Sequence, residues 1–505
     1  MKKIYILSAL FVFTGLTFTS CKKDLLDPVP NDRLSQTIFW KTDQDALLGI
    51  NAVYPGLDGT GIFAWDAFTD IAHVNRNYVA ETFVELGTYD ISSGVVSDGW
   101  SGAYSAIQLA NYFLANVDKV TTTNAALIAR YKAEARVLRA YQYIKLAGLF
   151  GDVPLVTEPL DINQAKQLSR TPVSQVYDFI DKELTEAAAV LPATYTATTD
   201  LGRVRQGAAW ALKARADLWA GRYQAAADAA QKVTGFTLYS SYQNLFTYAA
   251  ENNSEVILDK QFIKDTYSNN VFYLLSAYSQ KGSQSTYVPT RTVVDMYEAN
   301  DPRKGFSIFQ DGDVLASGAV FRPAPNSGTS DAIGNTYIAS VTGYNIKKYI
   351  NASDYANVSN CGINIILCRY AEVLLTYAEA KIELNQIDQT VYDAINAVRT
   401  QRADVKLSAI TIGKTQQELR DIVRHERTIE LAFEGLHLFD IRRWKTAETV
   451  MQGAVTGITY NNNGTQTTVV VPSSTRTFDK SRHYLWPVPQ TERNLDPNLS
   501  QNPGW

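Results

Sequence analysis

The sequence predicts a mostly α-helical protein, built from stacked antiparallel helix pairs and interrupted by a loop-rich region. Three observations carry this expectation. Apolar residues recur at helical spacing through much of the first half of the chain and again beyond residue 360. One helix pair turns on Gly221-Arg222-Tyr223 and continues through Ala226 and Ala230, small residues that let antiparallel helices approach closely. Between 236 and 360 the periodicity fades, Asn, Ser and Gly rise, and 12 of the 29 Tyr fall within a quarter of the length.

Composition agrees with a folded chain: 505 residues, 46% apolar, with 16 Pro and 29 Gly, exclude a disordered or collagen-like protein. A net charge of −4 and an isoelectric point near 5.7 argue against a nucleic-acid-binding surface. Four His and three Cys leave little for a metal centre, and neither metal nor cofactor is expected.

In chain order, residues 1–20 read as an export signal. Lys2 and Lys3 precede an apolar run from Ile4 to Phe18, too short to span a bilayer. Thr19-Ser20 then leads to Cys21, placed as in a bacterial lipoprotein signal, where the thiol is lipidated and becomes the mature N-terminus. Phe18 stands where such signals usually carry Leu. Residues 21–36 are polar and contain Pro28 and Pro30, and read as a lipid-tethered spacer. The body divides into a helical region over 37–235, a loop-rich region over 236–360 and a second helical region over 361–505.

A helix is expected from Thr42 to Leu57, with Ala46, Leu47, Ile50, Val53 and Tyr54 on one face. Residues 58–98 break into Gly, Asp, Asn and isolated aromatics and read as irregular. Trp100 to Val117 and Leu127 to Phe150 are helical, the second stopped by Gly151-Asp152-Val153-Pro154. Thr171-Pro172-Val173 opens a helix running to about Val190. The hairpin over 205–233 follows, its Gly-x-Tyr-x-x-Ala pattern resembling the middle of a tetratricopeptide repeat. A second pair is expected over 368–400, then one long helix from Gln417 to Trp444, then an irregular tail over 450–505. Cys361 and Cys368 are the remaining cysteines; an oxidising compartment permits a bridge, and their spacing does not decide it.

No enzyme constellation emerges. His425-Glu426 lacks the second His of a zincin helix, Gly413-Lys414-Thr415 lacks the upstream Gly of a P-loop, and there is no Gly-x-Ser-x-Gly elbow. Glu372, Glu379, Arg424, Glu426, Arg427, Glu430 and Glu434 lie at helical spacing and read as surface or inter-helix ion pairs.

Five ordered strings carry a family resemblance. They are Ala133-Glu134-Ala135-Arg136 to Tyr141, leading to Phe150-Gly151-Asp152-Val153-Pro154; Gly207-Ala208-Ala209 to Gly221-Arg222-Tyr223; Arg369-Tyr370-Ala371-Glu372 to Ala380; His425-Glu426-Arg427 to Gly435, with Phe439-Asp440-Ile441-Arg442-Arg443-Trp444; and Trp486-Pro487-Val488-Pro489 to Trp505. Together they resemble the SusD/RagB family of outer-membrane nutrient-binding lipoproteins over nearly the whole chain. The resemblance implies an α-helical superhelix of tetratricopeptide-like pairs. It also implies a cell-surface lipoprotein that sits as a lid on a SusC-like, TonB-dependent β-barrel transporter, captures an oligosaccharide (in RagB-like members a peptide) and does no catalysis. A surface polysaccharide-degrading enzyme is the competing reading from another class.

Sugars offer flat C–H faces that stack on aromatic rings and hydroxyls that pair with Asn, Asp and Arg. The expected ligand-binding residues are therefore loop aromatics with polar neighbours. In the first irregular stretch these are Trp65, Asn75, Arg76, Tyr78, Tyr89 and Trp100; in the second they are Tyr267, Tyr287 and Tyr344. Trp100 also continues the helix face of Tyr104 and Ile107, Trp65 sits among Phe63 and Phe68, and Tyr78 lies between Asn77 and Val79, so each has a packing alternative.

Overall fold

The computed structural model describes residues 39–505; the export signal, Cys21 and the spacer lie outside the described residues. The helices stack in sequence. Gly94–Asn116 packs on Ala125–Phe150, which packs on Val173–Ala188, then Gln206–Trp219, then Tyr223–Gln231. The next partner of Tyr223–Gln231 is Tyr370–Glu383, which in turn carries Gln389–Thr400 and Gln416–Glu430. This is the expected tetratricopeptide-like array, and everything between 236 and 360 is inserted into it. Ala226 and Ala380 are wholly buried where the two halves of the array join.

Local chemistry sets the ends of these helices. Thr42 accepts the Asp45 N–H while Asp45 reaches back to the Thr42 N–H, a capping box that starts Asp43–Asn51. That helix stops earlier than the periodicity suggests, and a separate 3₁₀ turn follows at Tyr54–Gly56, where Pro55 supplies no N–H. Thr415 and Glu418 form the same box at the start of Gln416–Glu430.

The long helix expected from Gln417 to Trp444 is two helices, Gln416–Glu430 and His437–Arg443. The break has two causes. Gly435 adopts φ +80, and a Cβ there would lie 2.9 Å from Ile62 Cβ. Asp66, wholly buried, accepts the N–H groups of Gly435 and His437 at 3.0 and 3.1 Å, giving the freed backbone its partners.

The irregular stretches are also more ordered than expected. Residues 58–98 contain helices Ile62–Ala67 and Ala80–Leu86 and strand Ala72–Val74, and the tail contains a hairpin, Thr456–Asn462 with Thr465–Val470. The 236–360 insertion has only short elements and is pinned by antiparallel strand pairs. Val256–Lys260 pairs with Ile365–Arg369, and Tyr287–Pro289 with Ala72–Val74. Cys361 and Cys368 are buried free thiols.

A buried ionic network fastens the insertion to the second half of the array. Arg369 Nη1 donates to Glu255 and Glu430 at 2.8 and 2.7 Å, and its Nε to Glu434 at 2.6 Å. Arg303 joins Glu426 and Glu430 at 2.6 and 2.8 Å, and Arg402 joins Glu255 at 2.7 Å. Burial resists the charge on Glu430, but Arg402, Arg369 and Arg303 outweigh it and hold its carboxyl far below the usual range. Glu426, Glu430 and Glu434 are thus interior ion-pair partners rather than a solvated face.

Candidate functional site

The strand pair Ala72–Val74 with Tyr287–Pro289 brings the two irregular stretches together, in the register Ala72↔Pro289 and Val74↔Tyr287. Glu85 supports it from below, meeting His73 Nδ1 at 2.7 Å, the Val74 N–H at 2.9 Å and Arg476 Nε at 3.0 Å. Burial opposes the Glu85 charge, and His73 and Arg476 outweigh it, holding the carboxyl below its ordinary value. Just past the strand, the Asn75 N–H donates to Thr286 O at 2.9 Å.

The Asn75 side chain then clamps a third segment. Its Nδ2 donates to the carbonyls of Ile338 and Ala339 at 3.0 and 3.2 Å, and its Oδ1 accepts the Val341 N–H at 2.8 Å. Arg76 follows, with Nη1 on Tyr337 O at 3.1 Å and Nη2 on Gln284 O at 2.5 Å. Its guanidinium carbon lies 5.9 Å from the centre of the Tyr337 ring. Burial pulls the Arg76 guanidinium below its usual value, while Tyr78, Tyr337 and Tyr273 act against that pull. Tyr78 and Tyr337 are 63% and 70% exposed. The result is a buried guanidinium, its Nη groups taken by carbonyls, near the open rings of Tyr337 and Tyr78 and beside the Gln284 amide. The open rings of such a surface stack on flat apolar faces, with the part-buried Gln284 amide to hydrogen-bond at their edges.

Of the residues expected from sequence, Asn75, Arg76 and Tyr78 meet here. Asn75 and Arg76 are both buried and position the surface rather than line it; of the three only Tyr78 is open. Trp65, Trp100, Tyr89, Tyr287 and Tyr344 are turned inward and require correction. Trp65 is half-buried in a cluster with Trp486, Phe68 and Phe439, 5.6 Å from the Trp486 ring centre. Trp100 is buried in its helix, edge-on to Phe150 at 5.0 Å. Tyr89 is buried between His483 and Trp505. Tyr287 is buried on its strand, and Tyr344 is buried near Arg291 and Asp295. Trp100 follows its expected helix into the core; for the other four the supposed loop folds into a helix, strand or packed turn, and the ring goes to the apolar side.

Tyr267 is 46% exposed and stacks on Phe262 at 5.4 Å, but it lines another cleft, of about 360 Å³, with Tyr54, Leu201, Arg203 and Lys260. Tyr337, Tyr273 and Gln284 were not expected. Tyr337 had a visible signal: it follows Gly334-Asn335-Thr336, much as Tyr78 follows Asn75-Arg76-Asn77. Among the described residues no group of three or more His, Cys, Asp or Glu is placed to hold a metal, and no helix is long and apolar enough to cross a membrane.

Comparison with known proteins settles the family. Residues 210–505 match the model of the SusD family. The chain belongs to that family. Residues 51–218 also match a second SusD-like model, described as starch-binding and associating with the outer membrane. This SusD-family protein is 29% identical to SusD-like protein P2 of Formosa agariphila, the alignment covering 98% of this chain and 99% of that one. A SusD-like carbohydrate binding protein of Bacteroides fragilis superposes with a TM-score of 0.85 at 27% identity, covering 92% of this chain and all of the other. A second SusD-like protein of the same organism superposes with a TM-score of 0.82 at 25% identity, covering 94% of this chain and all of the other.

Proposed function

We propose that this protein is a lipid-anchored cell-surface receptor that captures an oligosaccharide and delivers it to a SusC-like, TonB-dependent outer-membrane transporter. Family membership supports the role, and the carbohydrate-binding relative from Bacteroides fragilis supports the ligand class. The outer-membrane association of the second matching family supports the location. The observation that carries the reading to particular residues is the pair of exposed rings, Tyr78 and Tyr337, near the buried Arg76 guanidinium that holds the Tyr337 carbonyl. Tyr78 and Tyr337 stack the faces of successive sugar rings, and the Gln284 amide takes a hydroxyl.

The test is calorimetric titration with a panel of α- and β-linked glucan, galactan and mannan oligosaccharides, with tetrapeptides as the competing class. A stacking ring contributes about 1–2 kcal/mol, so Tyr78→Ala or Tyr337→Ala weakens the preferred oligosaccharide about tenfold. Both rings are largely solvent-exposed, so melting stays within about 1 kcal/mol of wild type. Unchanged binding in both variants moves the site elsewhere, and preferential peptide binding replaces the ligand class. Co-purification of the transporter with the lipidated protein tests delivery.

A further inference from the structure

A second cleft, of about 510 Å³, opens at the other side of Trp65's aromatic cluster, among Phe439, Trp219, Tyr177, Arg442, Lys445 and Tyr484. It lies where the helices Ala125–Phe150 and Gln206–Trp219 end and Val173–Ala188 begins. Trp219 and Phe439 stack face to face at 4.2 Å on its wall, and the indole Nε1 of Trp219 has no hydrogen-bond partner.

Arg442 is the unusual member. Most buried arginines of this fold meet a carboxylate: Arg139 meets Glu183, Arg215 meets Glu372, Arg427 meets Asp440 and Arg476 meets Glu85. Arg76, which has none, gives both Nη groups to backbone carbonyls instead. The adjacent Arg443 holds Glu379 and Asp440 at 2.6 and 2.9 Å. Arg442, only 8% exposed, forms no ion pair among the described residues, and its Nε and Nη1 are buried with no hydrogen bond. Its contact is the face of Trp486, 5.9 Å from the ring centre. Lys445, on the same cleft, has no carboxylate partner either and lies 4.0 Å from the centre of the Tyr484 ring. Burial and the nearby Arg442 charge push the Lys445 ammonium below its ordinary value, against the weaker opposing pull of Glu448. Nearby His483 is held neutral at about 4, chiefly by burial, and adds no charge of its own.

A buried unpaired cation is costly, and the two neighbouring cations repel each other; Arg442 lies between this cleft and a small cavity lined by Tyr89 and His483. An anion between them removes both penalties. The start of the Val173–Ala188 helix at the cleft edge adds a favourable dipole. We infer that this cleft is an oxyanion site in which Arg442 and Lys445 take the carboxylate or sulfate of an acidic sugar residue, its ring lying against the Trp219 and Tyr177 wall. The sugar body of this assignment rests on the glycan-capture reading; the oxyanion does not.

The experiment titrates the mature protein with glucuronate, glucose 6-sulfate, glucose and N-acetylaspartate at constant ionic strength, by calorimetry and melting. Constant ionic strength and the neutral glucose control separate binding from the general stabilising action of sulfate-type salts. The expected result is saturable binding of both acidic sugars and none of glucose. Arg442→Met weakens that binding at least tenfold, Lys445→Gln weakens it less, and Tyr78→Ala leaves it unchanged. Should Arg442→Met fail to fold, the loss in Lys445→Gln decides. No binding of any acid, or equal binding in wild type and both cleft variants, overturns the site. N-acetylaspartate binding as tightly as glucuronate overturns the sugar assignment and points to an acidic protein loop. Acidic-sugar binding that survives in Arg442→Met but is lost in Tyr78→Ala returns the anion to the Arg76 surface and also refutes the inference.

Discussion

Replacing Asn75 by Ala tests how the Arg76 surface is held. The side chain makes three hydrogen bonds to the 338–341 segment: two donated to carbonyls and one accepted from the Val341 N–H. It is 4% exposed, so water does not readily take over these bonds. At about 1 kcal/mol each, their loss raises the free energy of the closed segment by about 3 kcal/mol relative to an open one. With 1.4 kcal/mol per factor of ten, opening becomes roughly a hundredfold more frequent. The backbone bond from the Asn75 N–H to Thr286 survives the substitution, as does the Arg76 contact to Tyr337 O, so the change stays local. Hydrogen exchange read on peptides spanning 336–344 measures it. The expected outcome is exchange about a hundredfold faster in that window, with the peptides of the 125–150 helix unchanged. Oligosaccharide affinity falls as well, because Tyr337 rides on the loosened segment. Unaltered protection over 336–344 refutes the clamp.

Further outcomes are expected. Cys21→Ala shifts the protein from the membrane pellet to the soluble fraction; continued sedimentation at high salt means the tether is not a lipid on that residue. Ala226→Leu overpacks the junction with Ala380 and costs about 1–3 kcal/mol in denaturant unfolding. Glu430→Gln removes a carboxylate held by buried arginines and costs about 3–5 kcal/mol at neutral pH. Because the folded carboxyl titrates below its ordinary value of 4.5, its charge stabilises fully above that pH and progressively less below it. The gap between wild type and Glu430→Gln therefore narrows as pH falls below 4.5, and a gap that widens on acidification refutes the assignment.

The helix array was largely legible because its signals are local. Ala208, Leu212 and Ala216 mark one helix face, and Gly221 and the Ala226–Ala230 spacing mark the turn and the close approach. The break at Gly435 was not legible, because its causes, Ile62 and Asp66, lie some 370 residues away. The same holds for the aromatics. Nothing near Tyr287 or Tyr344 distinguishes a ring turned inward from one left open like Tyr78; strand pairing across the chain decides it. Arg442 was visible only as one half of an Arg-Arg pair. Its lack of a carboxylate appears once Arg443 is seen to hold both Glu379 and Asp440.

The array in which Tyr223–Gln231 packs on Tyr370–Glu383 also fixes an order of events in time. When the first of these helices is complete, its partner has not yet been synthesised. At about 5–20 residues per second, the 138 residues between Gln231 and Tyr370 take roughly 7–28 s to make. During that interval the face carrying Ala226 and Ala227 has nothing to cover it. The two halves of the array can join only after the whole insertion has been made, a long-range contact that slows folding by topology alone. A nascent chain arrested near residue 300 is consequently a sticky intermediate, and one arrested well beyond residue 383 is not.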